Sequence, residues 1–236
     1  MTRNQTSIML TDTQQHALFV KRTVSMTEKG FDILQKTIEG CVRGNERICK
    51  KSLKLASVLA IMAENEAHTT SMMLESLSRI IKEQELARQS LNARIESLAI
   101  GPLRLYGPIC NKINTYAKMQ RAALDNERKK RELLDNAILK DGGDQETRVR
   151  INQSQMDLAG ASRAAMNSTT TLHDSVLTFE QRRRNDLKNV LSEIVWSEMQ
   201  FHAKSLELLT EAHQVIHATS FDKDIQVGDI IFALLN

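Results

Sequence analysis

Apolar residues recur along this chain in steps of three and four, over stretches far longer than a surface helix needs. Positions 31 to 62 hold Phe31, Leu34, Ile38, Cys41, Asn45, Ile48, Ser52, Leu55, Leu59 and Met62 on that spacing. Eight of these ten are apolar, which predicts the seam of one long packed helix. Asn45 and Ser52 read either as register-fixing polar groups or as tolerated small polar residues. A second seam, Leu74, Leu77, Ile81, Gln84, Arg88, Leu91, Ile95 and Leu98, runs into Gly101-Pro102. Beyond Gly107-Pro108 the spacing resumes at Ile109, Ile113 and Tyr116. A third segment, from about Gln145 to His217, contains one glycine and no proline. Its second half places Leu187, Val190, Leu191, Ile194, Val195, Glu198, Phe201, Leu208 and Leu209 on helical spacing, with Trp196 beside the stripe.

Two stretches predict turns. "NEAHTT" at 65 to 70 offers Asn and Thr capping chemistry where the first helix gives way to the second. Gly142-Gly143, within "KDGGD", is the clearest turn in the sequence. The only two prolines, Pro102 and Pro108, each follow a glycine, Gly101 and Gly107. Inside a helix a proline costs roughly 3 kcal/mol and a glycine about 1 kcal/mol. The stretch therefore either reverses the chain or bends a long helix. A reversal would leave the seam ending at Leu98 as a helix much shorter than its neighbours, and sharp kinks sit almost always at proline or similar breakers. A bend is the better reading, with Gly101, Pro102, Gly107 and Pro108 as the kink. The predicted fold is all-α, an elongated antiparallel three-helix coiled coil with a kinked second helix. A third helix of some seventy residues would be on the order of 100 Å long. A monomer of this size does not bury such a length, so Leu191, Ile194, Trp196 and Phe201 are expected to meet a second chain in a curved homodimer.

Composition supports long helices: of 236 residues only 4% are aromatic, while 26% are charged. Cys41, Cys49 and Cys110 lack metal-ligand spacing and read as buried free thiols of a reducing, cytoplasmic compartment. No run of about 18 apolar residues is present. Residues 1–14 read as a flexible or amphipathic arm or a weak mitochondrial address, 15–220 as the helical domain, and 221–236 as a short tail.

The net charge of +3 is small, but it is segregated. From Lys112 to Arg131 there are seven basic residues against two acidic ones, and from Ser192 to Asp229 two against seven. The basic set is Lys112, Lys118, Arg121, Arg128, Lys129, Lys130 and Arg131, continued past the turn by Lys140, Arg148 and Arg150. Two further clusters are Lys50-Lys51-Lys54 and Arg182-Arg183-Arg184-Lys188. Basic runs on long helices read either as solvated faces or as a surface for an anionic membrane, where each cation gains about 1 kcal/mol. Nucleic acid is disfavoured, because no aromatics interleave with these cations.

Catalytic chemistry finds no residues to stand on. His213 and His217, and Glu198 and His202, lie at i,i+4, but the Glu-x-x-His pairs of di-iron bundles are missing. There is no Gly-x-x-x-x-Gly-Lys, no Gly-x-Ser-x-Gly and no plausible nucleophilic cysteine. A non-enzymatic protein without metal or cofactor is expected, and the ten methionines read as adaptable core filling.

Two motifs carry a family resemblance. Pro102, Leu103, Arg104, Tyr106 and Gly107 match a Pro-Leu-Lys-x-Tyr-Gly segment. Ser192, Glu193, Glu198, Met199, Phe201, His202, Lys204, Leu206 and Glu207 match a Ser-Glu-Phe…Glu-Met-x-Phe-His-x-Lys-x-Leu-Glu run. Over roughly residues 15 to 220 the chain resembles the Chibby-interacting BAR-domain family, also called family with sequence similarity 92. It departs from that family in its second Gly-Pro pair and its short tail. The resemblance implies a homodimer of three-helix coils whose basic face binds and shapes anionic phospholipid membranes. It also implies a Chibby-type partner and a place at the ciliary base or centriole. The alternative is a coiled-coil scaffold that binds partner proteins without touching lipid.

Overall fold

The computed structural model describes residues 12–140 and 145–220. Among the described residues the regular elements are all helical: α1 (Asp12–Ala63), α2 (His68–Ile95), a π turn (Glu96–Ile100), α3 (Gly101–Arg104), α4 (Tyr106–Leu139) and α5 (Gln145–Ala218). Three long helices result, the second being α2 through α4 with a kink, and α5 alone has 74 residues. Helix α1 already includes residues 12–14, which the sequence assigned to an arm. The Gly142-Gly143 turn, residues 1–11 and residues 221–236 lie outside the described residues.

The turn at 64–67 is where "NEAHTT" placed it, but the expected capping is not made. Ala67 caps α2 without a side-chain bond. Asn65 instead donates its side-chain amide back to the Ile61 carbonyl at 3.3 Å. Backbone groups close the turn, with Asn65 N–H donating to the Met62 carbonyl at 3.1 Å and Ser71 N–H to that of Ala67 at 2.8 Å.

The chain divides into two compact units, Met1–Ile33 with Arg104–Asp186, and Leu34–Leu103 with Leu187–Asn236. In the first, Val20, Val24 and Phe31 of α1 are buried, as are Tyr106, Cys110 and Ile113 of α4 and Leu172, Val176 and Phe179 of α5. In the second, Ile38, Val42, Cys49, Ala56 and Ala63 of α1 are buried, with Leu74, Ile80, Leu91 and Ile95 of α2 and Val190, Phe201 and Leu208 of α5.

These lists correct the predicted seam of α1. Cys41, Ile48, Leu55 and Met62 are exposed, and their neighbours Val42, Cys49, Ala56 and Ala63 are buried instead. From Ile38 onward the buried residues step by four and then by sevens, each one position past its predicted counterpart. Small residues win the inner positions because closely packed backbones leave little room there. Cys41 is accordingly not a buried thiol, whereas Cys49 and Cys110 are. In the second seam Leu98 is exposed and Ala99 takes its place, while Leu74, Leu91 and Ile95 are buried as expected.

Candidate functional site: the kink, the basic hairpin and the exposed stripes

The kink is built by widening the helix ahead of its proline. A proline ring clashes with the carbonyl four residues back, here that of Leu98. The chain avoids this with the π turn, closed by Gly101 N–H donating to the Glu96 carbonyl five residues back. Gly101 has helical φ and ψ of −51° and −54°, so its conformation does not require glycine. A second interruption falls at Leu105, after which α4 starts with Tyr106. Pro108 then sits in the first turn of α4, where a missing N–H costs no intrahelical bond. Ile109 N–H donates to the Leu105 carbonyl at 3.2 Å and resumes the ladder.

Tyr106, from the Pro-Leu-Arg-Leu-Tyr-Gly stretch, anchors the first unit. Its ring meets Phe31 edge-on at 4.4 Å between centroids and Phe179 at 6.3 Å. Its hydroxyl donates to the Asp186 carboxylate at 2.9 Å, which also accepts from Arg182 at 3.2 Å. Burial, and then the bond to Asp186, push the phenol pKa well up. Beside it, burial raises the Cys110 thiol to about 11, with the Glu28 carboxylate adding to the effect.

Away from Tyr106, α4 and α5 run antiparallel as a hairpin. Gln120 donates to Thr169 at 3.2 Å, Ser162 to Glu127 at 2.7 Å and Lys130 to Asp157 at 2.7 Å. The Ser162 bond lowers the Glu127 pKa and the Lys130 bond lowers that of Asp157. No residue of 121–140 or 145–160 is buried, the outcome expected of two helices packed chiefly on each other.

All ten predicted basic residues lie in this unit, but they are not equivalent. Arg128 pairs with Asp125, Arg131 with Glu127, Arg150 with Glu146 and Lys130 with Asp157. Lys112 sits 5.8 Å over the Tyr116 ring. Lys118, Arg121, Lys129, Lys140 and Arg148 are exposed and have no acidic partner among the described residues. In the Arg182-Arg183-Arg184 run, Arg182 pairs with Asp186 and the other two with Glu180.

The predicted dimer residues separate as well. Leu191 and Trp196 are each 48% exposed and Ile194 is half-buried. Phe201 is only 7% exposed, with the Arg88 guanidinium 4.6 Å over its ring. It is a core residue of the single chain, contrary to the expectation that it needs a second one. The exposed apolar stripe of α5 is instead Leu191, Val195, Met199, Leu206, Leu209 and Ile216, on steps of three, four and seven. Sequence reasoning had Leu191, Val195 and Leu209 on the stripe but missed Met199, Leu206 and Ile216, whose continued spacing was the available signal. On α1 the exposed residues of the second unit include Ile48, Leu55, Val58 and Met62.

A family model described as FAM92 protein matches residues 1–226 of this sequence. The chain belongs to the FAM92 family. The CBY1-interacting BAR domain-containing protein 1 of Danio rerio is 28% identical over 208 residues, covering 88% of this chain and 70% of that protein. Its Mus musculus counterpart is 28% identical over 204 residues, covering 86% and 70%. Among solved structures, the amphiphysin BAR domain from Drosophila superposes with a TM-score of 0.72 at 14% identity, covering 94% of this chain and 99% of that one. The N-terminal I-BAR domain of D. discoideum IBARa gives 0.57 at 14% identity, covering 86% and 90%. These solved structures show for this chain the BAR fold that the family resemblance implied. No described helix is long and apolar enough to cross a membrane.

Proposed function

We propose that this FAM92-family chain is a non-enzymatic, membrane-curvature protein that dimerises and lays a basic face on anionic lipid. One observation supports it above the rest: the α4–α5 hairpin leaves Lys118, Arg121, Lys129, Lys140 and Arg148 exposed and without acidic partners on a BAR fold. The exposed stripes of α1 and α5 suit a second copy, since each large apolar side chain covered contributes about 1.5–3 kcal/mol. The names of the relatives bring a Chibby-type protein to this chain as a partner, and with it a cytoplasmic, peripheral position at the ciliary base.

Vesicle co-sedimentation tests the lipid reading. Anionic vesicles should retain the protein, neutral ones should not, and binding should fade with salt as the Debye length falls below about 8 Å. Lys129→Glu with Lys140→Glu and Arg148→Glu should abolish retention without loss of helicity, because none of the three has an intramolecular acid to lose. Equal binding to neutral vesicles, or full retention by the triple variant, refutes it. Charge reversal that leaves cellular localisation intact points to the coiled-coil scaffold instead.

A further inference from the structure

His213 and His217 take no part in the hairpin or in the ion pairs of the second unit, and their geometry is close to that of a chelate. Side chains four residues apart on a helix lie about 40° apart around the axis and roughly 6 Å apart along it. Both residues are exposed, and their ring centroids stand 4.2 Å apart at an interplanar angle of 45°. Neither ring has a hydrogen bond or an ion pair among the described residues. His202 differs: its Nε2 lies 3.6 Å from a Glu198 carboxylate oxygen, and its ring centroid is 5.3 Å from that of Phe201.

Two neutral imidazoles on one helix face supply two of the ligands that a zinc or copper ion takes. Zinc–nitrogen bonds of about 2.0–2.1 Å at a tetrahedral angle set the ring centroids about 5 Å apart. Exposed rings reach that separation by turning about their own side-chain bonds. The Glu-x-x-His pairs that a di-iron centre needs are absent, but a single ion needs none. No group of three or more His, Cys, Asp or Glu able to hold a metal occurs among the described residues, so the described chain offers two imidazoles and water completes the coordination.

Two features of the place favour a dication. His217 stands in the last turn of α5, where unsatisfied carbonyls give the helix end about half a negative charge. Between Ser205 and Ser220 the acidic residues are Glu207 and Glu211, and there is no Lys or Arg. The same end has stability to gain. Leu208 is the last buried residue of the helix, so the turns beyond it are held by little more than their own backbone bonds.

We propose that His213 and His217 bind one divalent late transition-metal ion, zinc or copper, as a clip across the last turns of α5. The site is independent of the lipid reading above.

The test uses the full chain, freed of metal with a chelator and carrying Cys41→Ser so that the exposed thiol does not compete. Amide exchange over 209–218, read by mass spectrometry, should slow about tenfold when free zinc stands about tenfold above its Kd, because an ion that binds only the closed helix lowers the open fraction by 1 + [zinc]/Kd. Copper should give the same protection at a lower concentration, following the order of divalent-ion affinities, and magnesium should give none. His213→Ala and His217→Ala should each remove the effect without loss of helicity, since both rings are exposed, and His202→Ala should leave it in place. Equal slowing by magnesium reduces the effect to a dication near acidic residues and overturns the site. Slowing that survives either alanine, or no slowing with zinc or copper, also overturns it. Leu206 of the exposed stripe lies on the same side of α5 as the two rings. Slowing that appears only together with a zinc-dependent rise in sedimentation coefficient therefore assigns the ion to a bridge between copies and overturns the clip.

Discussion

The two units build a similar three-helix seam from different materials. The second unit threads polar groups through its interior and satisfies nearly all of them. Glu85, 1% exposed, accepts from Arg88 at 2.9 Å. Asn45 donates to Asn92 at 3.0 Å, Gln84 to Ser205 at 2.8 Å and Ser78 to the Ala56 carbonyl at 2.7 Å. Ser197 is the described exception, a buried hydroxyl with no partner. The first unit relies on an aromatic knot around Tyr106 and then thins into the hairpin, where polar pairs are half-exposed or open to water. Charge follows the same division: 18 basic against 14 acidic residues over 12–33 and 104–186, and 12 against 12 over 34–103 and 187–220. A buried ion or amide holds register only if every partner is in place, so the second unit is the specified half. In the first, the surplus charge stays on the outside, where it is available for binding.

Arg88→Met breaks this comparison hardest. It strands the Glu85 carboxylate inside the second unit and removes the cation over Phe201, at a cost of about 3–5 kcal/mol in urea unfolding. Glu85→Leu with Arg88→Met should recover most of that loss. Failure to recover would mean that packing, not the ion pair, sets the second unit apart.

Thiol labelling compares the units kinetically. Exposed Cys41 should react first. Cys110 is buried, and its thiol, raised from 9.0 to about 11, has its thiolate fraction lowered about 100-fold at neutral pH. Mass spectrometry that finds Cys110 labelled alongside Cys41 would show the first unit opening readily.

The smallest effect expected is that of Tyr106→Phe. It keeps the ring contacts with Phe31 and Phe179 and removes one bond to Asp186, which retains Arg182. Thermal unfolding should report a loss of about 1–2 kcal/mol. A loss as large as that of Arg88→Met would mean that the first unit, too, is held by its polar interior.

Much of the fold was legible in the sequence because length, turn and kink signals are local. The three helices, the turn near 65 and the break at the Gly-Pro pairs each follow from residues within a few positions of the event. What could not be read was which of two adjacent stripes faces inward. Cys41 and Val42, Ile48 and Cys49, Leu55 and Ala56, Met62 and Ala63 are apolar neighbours, so periodicity alone allows either. The predicted stripe took the larger member in three of the four pairs, Ile48, Leu55 and Met62, whereas packing buried the smaller in those three and left the large residue outward. The basic site was legible as a segment but not as a surface. Lys130 looks like Lys129 in sequence, yet its partner Asp157 becomes visible only once α4 and α5 are side by side, whereas the Glu127 that pairs with Arg131 sits at readable i,i+4 spacing on the same helix.

The π turn also bears on how this helix keeps time. Before it, the buried positions run Leu91 and Ile95; after it, Leu103, Tyr106, Cys110 and Ile113. From Leu91 to Tyr106 is one residue more than two heptads, so a regular helix would arrive at the aromatic knot about a quarter-turn out of phase. The π turn absorbs that supernumerary residue within a single loop of backbone, much as a leap day corrects a calendar. Shortening the chain by one position inside 96–100 is thus a different event from shortening it anywhere in α4. The first would leave the inward face beyond it synchronised but set the Pro102 ring against the carbonyl four residues back, and the second would turn every inward residue beyond the cut toward the wrong neighbour.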